Sequence, residues 1–371
     1  MTDTYLQSQI ITYMGNKRKL IPVLSNIVND IIKKLNKKEI RCADAFSGSG
    51  IVSRLLKTVS TEVFVNDIAG YSHTLNKCYL STPTKKEMQD IERYITEANT
   101  FAHSENSECE PFIQKYWAPK STIKKSDRVY FTKENGCLID KYRFYINHYC
   151  PEKYQKYLLA QLIVKASIHN NTNGQFSAFY KDNGIGKYGG KHQNDLQRIT
   201  KDIKLDIPVM SFHKCKYFIS QMDVLDWLNT LPEMDIMYID PPYNKHPYSI
   251  YYFMLDIINE WDTKQTIPET NRGQPKTWVK SPYNSFIHAT KAFETLIENA
   301  KAKYLIVSYN NKGIIPLPIF KNILSKKGHI IEYPIDHKIY NRLKGIANYK
   351  RKKKDEESIK EFIWVIQSFE K

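Results

Sequence analysis

Cysteine is scarce: six in 371 residues, at Cys42, Cys78, Cys109, Cys137, Cys150 and Cys215, with no Cys-x-x-Cys pair. That scatter suggests neither a zinc site nor a disulfide framework and favours a reducing compartment. Long apolar runs are missing too. No stretch approaches the ~18 apolar residues of a membrane span. Met1 to Gln9 is polar and lacks the apolar core of a secretion signal. A cytoplasmic protein without membrane association is the simplest expectation. Acidic residues fall short of basic ones, 39 against 55, a formal +16 that favours a polyanionic partner. Aromatics are plentiful, with 26 Tyr, 16 Phe and 5 Trp. Mixed with lysine and arginine they suit a nucleic-acid surface, although much of that content must be core.

The most informative stretch is Asp235 to Tyr243, DIMYIDPPY. Met234 to Ile239 is a short, mostly apolar run, as in a strand buried in a parallel sheet. It stops at Asp240-Pro241-Pro242-Tyr243, because two prolines cannot donate to a sheet ladder. A carboxylate, free carbonyls and an aromatic ring are thereby presented at the carboxyl end of a strand, where open α/β sheets bind ligands. The chemistry suited to this group is attack by a planar amine. Asp240 and the Pro241 carbonyl can each accept a hydrogen bond from an exocyclic amino group, drawing the nitrogen toward tetrahedral geometry and freeing its lone pair. Tyr243 offers a face for stacking an extruded base. An ordinary strand-to-loop exit is the plainer alternative.

Earlier in the chain, IITYMGNKRKL (10–20) joins an apolar stretch to a Gly-Asn break and three basic residues, ahead of a helix-spaced run from Leu20 to Leu35. Free backbone N–H groups and Lys17 can hold a carboxylate there, unless this is merely a loop before a surface helix. Glu39 to Phe46 reads as a strand entering the turn Ser47-Gly48-Ser49-Gly50, with a helix from Ile51. Strand, glycine turn and helix form the entry of a Rossmann-like unit. The turn matches neither the dinucleotide fingerprint nor a Walker loop. Glu62 to Asp67 is a second strand ending in an acid, placed to accept from ribose hydroxyls; capping the next helix is the alternative role for Asp67. A ligand with a ribose but no pyrophosphate fits this pair, and S-adenosylmethionine is one. Phe218 to Val224 predicts a third such strand, whose Asp223 and Val224 can bracket an adenine, or whose Asp223 simply caps a helix.

The α/β alternation lapses between about Leu80 and Ile219. This gives an expected organisation of 1–80 and 217–371 as a catalytic unit, with 81–216 an inserted, mainly helical and irregular target-recognition region. Within it, helices are expected over Lys85–Ala98 and Tyr154–Ile168. The glycine- and tyrosine-rich run Gly174 to Gly190 is either a DNA-facing loop or a flexible surface loop. Downstream, Tyr248–Asp262 and Phe286–Ala302 predict helices, Ile267–Ser285 a loop near substrate, and Tyr304–Tyr309 a buried strand. His329–Ile335 and Glu361–Phe369 predict an antiparallel pair. The basic run Tyr349 to Lys354 between them suits phosphate contact or a solvated tip.

The ordered set YMGNK (13–17), DAFSGSG (44–50), VND ending at Asp67, MDV (222–224) and DPPY (240–243) resembles the Dam-like, alpha-ordered DNA adenine-N6 methyltransferases, of restriction–modification type. The segment after Asp240 and the later SYNNKG are similar to that family as well, whereas the middle of the chain is not. The resemblance implies a Rossmann-like α/β sheet with helices on both faces, S-adenosylmethionine as methyl donor, no metal, and double-stranded DNA as partner, with a cognate restriction endonuclease as a further partner. It implies Tyr13 packing near the cofactor and Lys17 holding its carboxylate. Phe46 and Gly48 would line the methionine part, Asp67 the ribose and Asp223 the adenine. Gly15, Asp44, Ile68, Val224 and Asp240 complete the expected cofactor set; Asp240, Pro241, Pro242 and Tyr243 form the catalytic one. The expected reaction is methylation of the N6 amine of a flipped adenine. Methylation of cytosine N4 or of RNA, and a non-catalytic DNA-binding scaffold, are the alternatives.

Overall fold

The computed structural model describes residues 2–276, 281–333, 335 and 360–369. The basic run Tyr349–Lys354 and residues 277–280 of the expected substrate loop lie outside them. Along the chain the helices are α1 (Thr2–Gln7), α2 (Ile21–Leu35), α3 (Ile51–Lys57), α4 (Gly70–Tyr79), α5 (Lys85–His103), α6 (Ile113–Trp117) and α7 (Lys133–His148). They continue with α8 (Glu152–Ile168), α9 (Leu196–Thr200), α10 (Val224–Thr230), α11 (Tyr248–Glu260), α12 (Ala289–Asn299) and α13 (Leu317–Ser325). The strands are β1 (Arg41–Asp44), β2 (Glu62–Asn66), β3 (Lys181–Asp182), β4 (Ile185–Gly186), β5 (Lys216–Ser220), β6 (Met234–Ile239), β7 (Ala302–Asn310), β8 (Gly328–Tyr333) and β9 (Glu361–Ser368).

Seven strands form one sheet in the order β5-β2-β1-β6-β7-β9-β8. All of them share one direction except β9, which runs antiparallel to both β7 and β8. This is a mixed, mostly parallel α/β sheet of Rossmann-like type. Strand order reverses between β1 and β6, so the crevice that such sheets use for ligands opens at the carboxyl ends of those two strands. Alternation along β6 explains why helices cover both faces. Met237 and Ile239 pack with α10, α12 and α13, while Ile236 and Tyr238 pack on the opposite face with α2 and α3.

The region 81–216 is mainly helical, with a two-residue-turn hairpin, β3–β4, built on Asn183-Gly184 in left-handed conformation. Its helices α5, α7 and α8 share one continuous apolar core with α4 and α11. Strand boundaries are narrower than the sequence suggests at β1, which ends at Asp44, and α12 begins at Ala289 rather than Phe286. Helices α7 and α13 had no expectation at all. The helix α7 buries Asn135, Asp140 and Arg143 among its apolar residues, which blurs the apolar stripe that a sequence reading depends on.

Candidate active site

A cavity of about 410 Å³ opens at the reversal point, a size usual for small-molecule sites. Asp44, at the end of β1, and Asp240, just after β6, both line it. Their strands are hydrogen-bonded neighbours, with Asp44 opposite Tyr238, and this brings the two acids to one edge. Burial pushes both carboxyls up to about 7. For Asp44 the Ser53 hydroxyl, which donates to Oδ2 at 2.6 Å, opposes the shift; for Asp240 the Lys17 ammonium opposes it. Asp44 Oδ1 is buried and has no hydrogen-bond partner among the described residues. It is a fixed acceptor on the cavity wall, and such orphans are costly unless a ligand satisfies them.

The glycine turn brings backbone close to the cavity. Gly48 has φ +50°, and a Cβ there would stand 2.9 Å from the Tyr13 ring. Tyr13 is itself clamped, stacked on Tyr252 (4.7 Å between centroids) and on Tyr248 (5.1 Å) from α11. The Tyr252 hydroxyl accepts from Met14 N at 2.6 Å, locking the N-terminal segment to that helix. Asp67 accepts from Gly48 N at 2.7 Å and from Ala69 N at 2.9 Å, so it organises the turn and the entry to α4 while still lining the cavity. Its pKa is raised by burial against those donors. Asp223 caps α10 by accepting from Leu225 N, and it too faces the cavity, next to buried Val224 and exposed Ile68. The capping role foreseen for Asp223 is therefore realised without removing it from the wall, whereas α4 begins after Ala69 with no side-chain cap and Asp67 braces the turn before it instead.

Of the expected site residues, the cavity gathers Tyr13, Gly15, Lys17, Asp44, Phe46, Gly48, Asp67, Ile68, Asp223, Val224, Asp240 and Pro242. Pro241 and Tyr243 are not on its wall. Tyr243 is buried, edge-on to Tyr309 (5.5 Å) and beneath Gly15. Lys17 is buried as well. Its ammonium lies 3.2 Å from Asp240 Oδ1, near enough for an ion pair but outside hydrogen-bond geometry, and is bonded to Glu361 on β9. Sequence reading missed Glu361. It also missed Asp256 of α11, whose carboxyl burial raises to about 7 and which accepts from Tyr71 N, and Tyr283, packed edge-on to Phe46 at 5.4 Å. Asp256 sits in an apolar helix whose other residues gave no hint of chemistry; Tyr283 lies in the loop expected over Ile267–Ser285, where no periodic pattern singles out one residue.

A Rossmann-like sheet with acids at successive strand ends around one cavity, and a carboxylate–proline–proline–tyrosine exit, defines a methyltransferase site. The chain belongs to the D12 class N6 adenine-specific DNA methyltransferase family, matched over residues 13–314. It is accordingly an enzyme that methylates adenine in DNA, and the cytosine, RNA and scaffold alternatives fall away. Among its relatives is the Type II methyltransferase M.NlaIII of Neisseria lactamica, 27% identical over 344 residues, covering 90% of this chain and 92% of that protein. The Type II methyltransferase M.FokI of Planomicrobium okeanokoites is 28% identical over 369 residues, 96% of this chain but only 52% of that protein. The Type II methyltransferase M.CviAII of Paramecium bursaria Chlorella virus 1 is 24% identical over 322 residues, 86% and 89% of the two chains. Among the described residues no helix is long and apolar enough to cross a membrane, and no group of three or more His, Cys, Asp or Glu is placed to hold a metal ion.

Proposed function

We propose that the cavity binds S-adenosylmethionine and that Asp240, with the Pro241 carbonyl, orients the N6 amine of an adenine flipped from duplex DNA for direct methyl transfer. The observation that carries this reading is the pairing of Asp44 and Asp240 at the carboxyl ends of adjacent β1 and β6, both lining one cavity. The residues present fit such a cofactor. The orphaned Asp44 Oδ1 suits an ammonium group, and the Gly48 turn under Tyr13 admits a thin aliphatic chain beside Phe46. Asp67 retains acceptor capacity for ribose hydroxyls, since each carboxylate oxygen takes more than one donor. Asp223, Val224 and Ile68 offer one acceptor and two apolar faces for an adenine. When bound, the cofactor supplies an electrophilic methyl group on a sulfonium centre.

For the target base, ionised Asp240 accepts one amino hydrogen and the Pro241 carbonyl the other. The nitrogen lone pair is thus turned toward the cavity, and the proton shed as nitrogen gains its fourth bond has a carboxylate to receive it. Region 81–216 supplies target recognition in this reading, supported by its attachment to α4 and α11 beside the cavity. A restriction–modification role with a cognate endonuclease is favoured by the relatives, each of which carries a type II or modification name. Incubation with methyl-labelled S-adenosylmethionine and unmethylated duplex DNA, followed by mass spectrometry of the nucleosides, tests the reaction. Label is expected in N6-methyldeoxyadenosine, and Asp240→Ala is expected to abolish it while keeping cofactor binding. Wild-type turnover by Asp240→Ala would sink the mechanism.

A further inference from the structure

Lys17 and Glu361 meet only because of the sheet's one reversed strand. The strand β9 runs opposite to β7, pairing Glu361 with Asn310, so its first residue lies at the same edge as the carboxyl ends of β1, β6 and β7. A parallel strand would have delivered Glu361 to the far end. At this edge the Glu361 carboxylate is 3% exposed and bonds the Lys17 ammonium, itself 3% exposed. Lys17 packs 5.7 Å above the Tyr243 ring and reaches Asp240 from the 3₁₀ turn Lys17–Leu20. Burying a second carboxylate beside a reacting one is expensive, since each ion gives up its hydration. Glu361 does not line the cavity, so that cost has no explanation in ligand contact.

We propose that Glu361 is a positioning residue for methyl transfer: it fixes the Lys17 ammonium beside Asp240 and so committed, Lys17 serves the reacting carboxylate rather than the cofactor's. This rests on the reading of Asp240 given above. A lysine on a flexible four-carbon stem would otherwise be free to turn into the cavity toward any anion there. Held by Glu361, it stands as a constant charge beside Asp240, while Glu361 tempers that charge. The other titratable groups facing Asp240 are Asp44 from β1, Tyr238 from β6, Tyr243 from the loop and Tyr248 from α11. Burial holds the three tyrosines protonated, so Lys17, Glu361 and Asp44 are the charges that set the state of Asp240. In direction, Lys17 lowers its pKa and Glu361 raises it.

The test compares Glu361→Ala, Glu361→Gln and Asp240→Ala with the wild-type protein. The readouts are single-turnover methyl transfer to duplex DNA across pH, the dissociation constant of S-adenosylmethionine, and thermal unfolding. Glu361→Ala is expected to slow transfer about tenfold or more, the scale of a lost charge-assisted contact, with cofactor affinity nearly unchanged. Glu361→Gln keeps an acceptor for the ammonium and removes the charge, so transfer recovers and the acidic limb of the pH profile moves down by about one unit. A purely structural role would lower the unfolding temperature and leave that limb in place; Glu361→Gln, the gentler change, carries the test if Glu361→Ala does not fold. A Glu361→Gln profile superimposed on wild type overturns the proposal. So does a Glu361→Ala variant that loses cofactor affinity in step with rate, because Lys17 would then be a cofactor ligand. Turnover in Asp240→Ala overturns the underlying reading instead, and a dead Asp240→Ala beside an unshifted Glu361→Gln overturns only the role of Glu361.

Discussion

Gly48→Ala should damage the protein well beyond the ordinary effect of adding a methyl group, and the structure says how much. The residue sits at φ +50°, where an L-residue pays about 1–2 kcal/mol. The new Cβ would also stand 2.9 Å from Tyr13 Cε1, short of the ~3.5–4 Å at which carbon atoms attract. Tyr13 cannot retreat, because Tyr248 and Tyr252 are stacked against it. Overpacking of this kind costs about 1–3 kcal/mol. Reduced freedom of the unfolded chain returns about 0.4–1 kcal/mol. The net loss is about 2–4 kcal/mol, or roughly 3–5 °C in melting temperature for a chain of this length.

Gly184→Ala is the matched control. Its φ is +82° and a Cβ there meets nothing within 4 Å, so the conformational cost of about 1–2 kcal/mol, less the same ~0.4–1 kcal/mol from the unfolded chain, applies without any overpacking. The two variants also differ in function. Any shift of the Gly48 turn disturbs its N–H bond to Asp67, so cofactor affinity should fall about tenfold in Gly48→Ala, as expected for one weakened charged hydrogen bond. Gly184→Ala should bind as wild type. Differential scanning fluorimetry and a cofactor titration read both quantities. Equal melting losses in the two variants, with affinity unchanged in each, would refute the argument that Tyr13 is an immovable wall.

Two further predictions concern charge. Methyl transfer under single-turnover conditions should rise between about pH 6 and about pH 8 as Asp240 ionises, because burial holds its pKa up to about 7; a rate flat over that range contradicts a working carboxylate. Asp44 is likewise held up to about 7, so below that pH the folded chain keeps a proton that the unfolded chain has released. Its contribution to stability therefore declines as pH rises from the ordinary carboxylate value to about 7, and is constant above. Asp44→Asn, which keeps an acceptor for Ser53, should gain melting temperature over wild type increasingly from about pH 4 to about pH 7, level off above, and should bind the cofactor more weakly. A pH-independent difference would show that Asp44 is not destabilised by its charge.

The sheet was legible wherever strands were short apolar runs closed by something emphatic. For β6 the two prolines marked the end to the residue. For β2 the acid lies one residue past the strand's end at Asn66, and the glycine turn announced α3. These same endings form the proposed site: Asp44, Asp67, Asp223 and Asp240 could be picked out from sequence, and all four line one cavity. Partners from distant elements were not legible. Glu361 opens an apolar strand, and nothing local distinguishes it from a solvated first residue; only the antiparallel insertion of β9 between β7 and β8 turns it toward Lys17. The hairpin β3–β4 carried an Asn-Gly turn signal, but two-residue strands are too short to show alternation. Tyr243 is a different lesson, since a ring beside a catalytic carboxylate was read as a stacking face and lies buried under Gly15 and Lys17.

The meeting of Lys17 with Glu361 also orders events in time. The helices α5, α7 and α8 are close in sequence and can form their shared core from nearby contacts, which is fast. The ion pair must join segments separated by nearly the whole of the described chain, and loop closure over such distances is slow. During refolding the helical region 81–216 is therefore expected to consolidate before the β9 edge of the sheet is complete. A chain caught between those stages holds a folded helical region while Asp240 still lacks the Lys17–Glu361 pair beside it. The carboxyl edge of the sheet would be finished only when β9 pairs with β7 and β8.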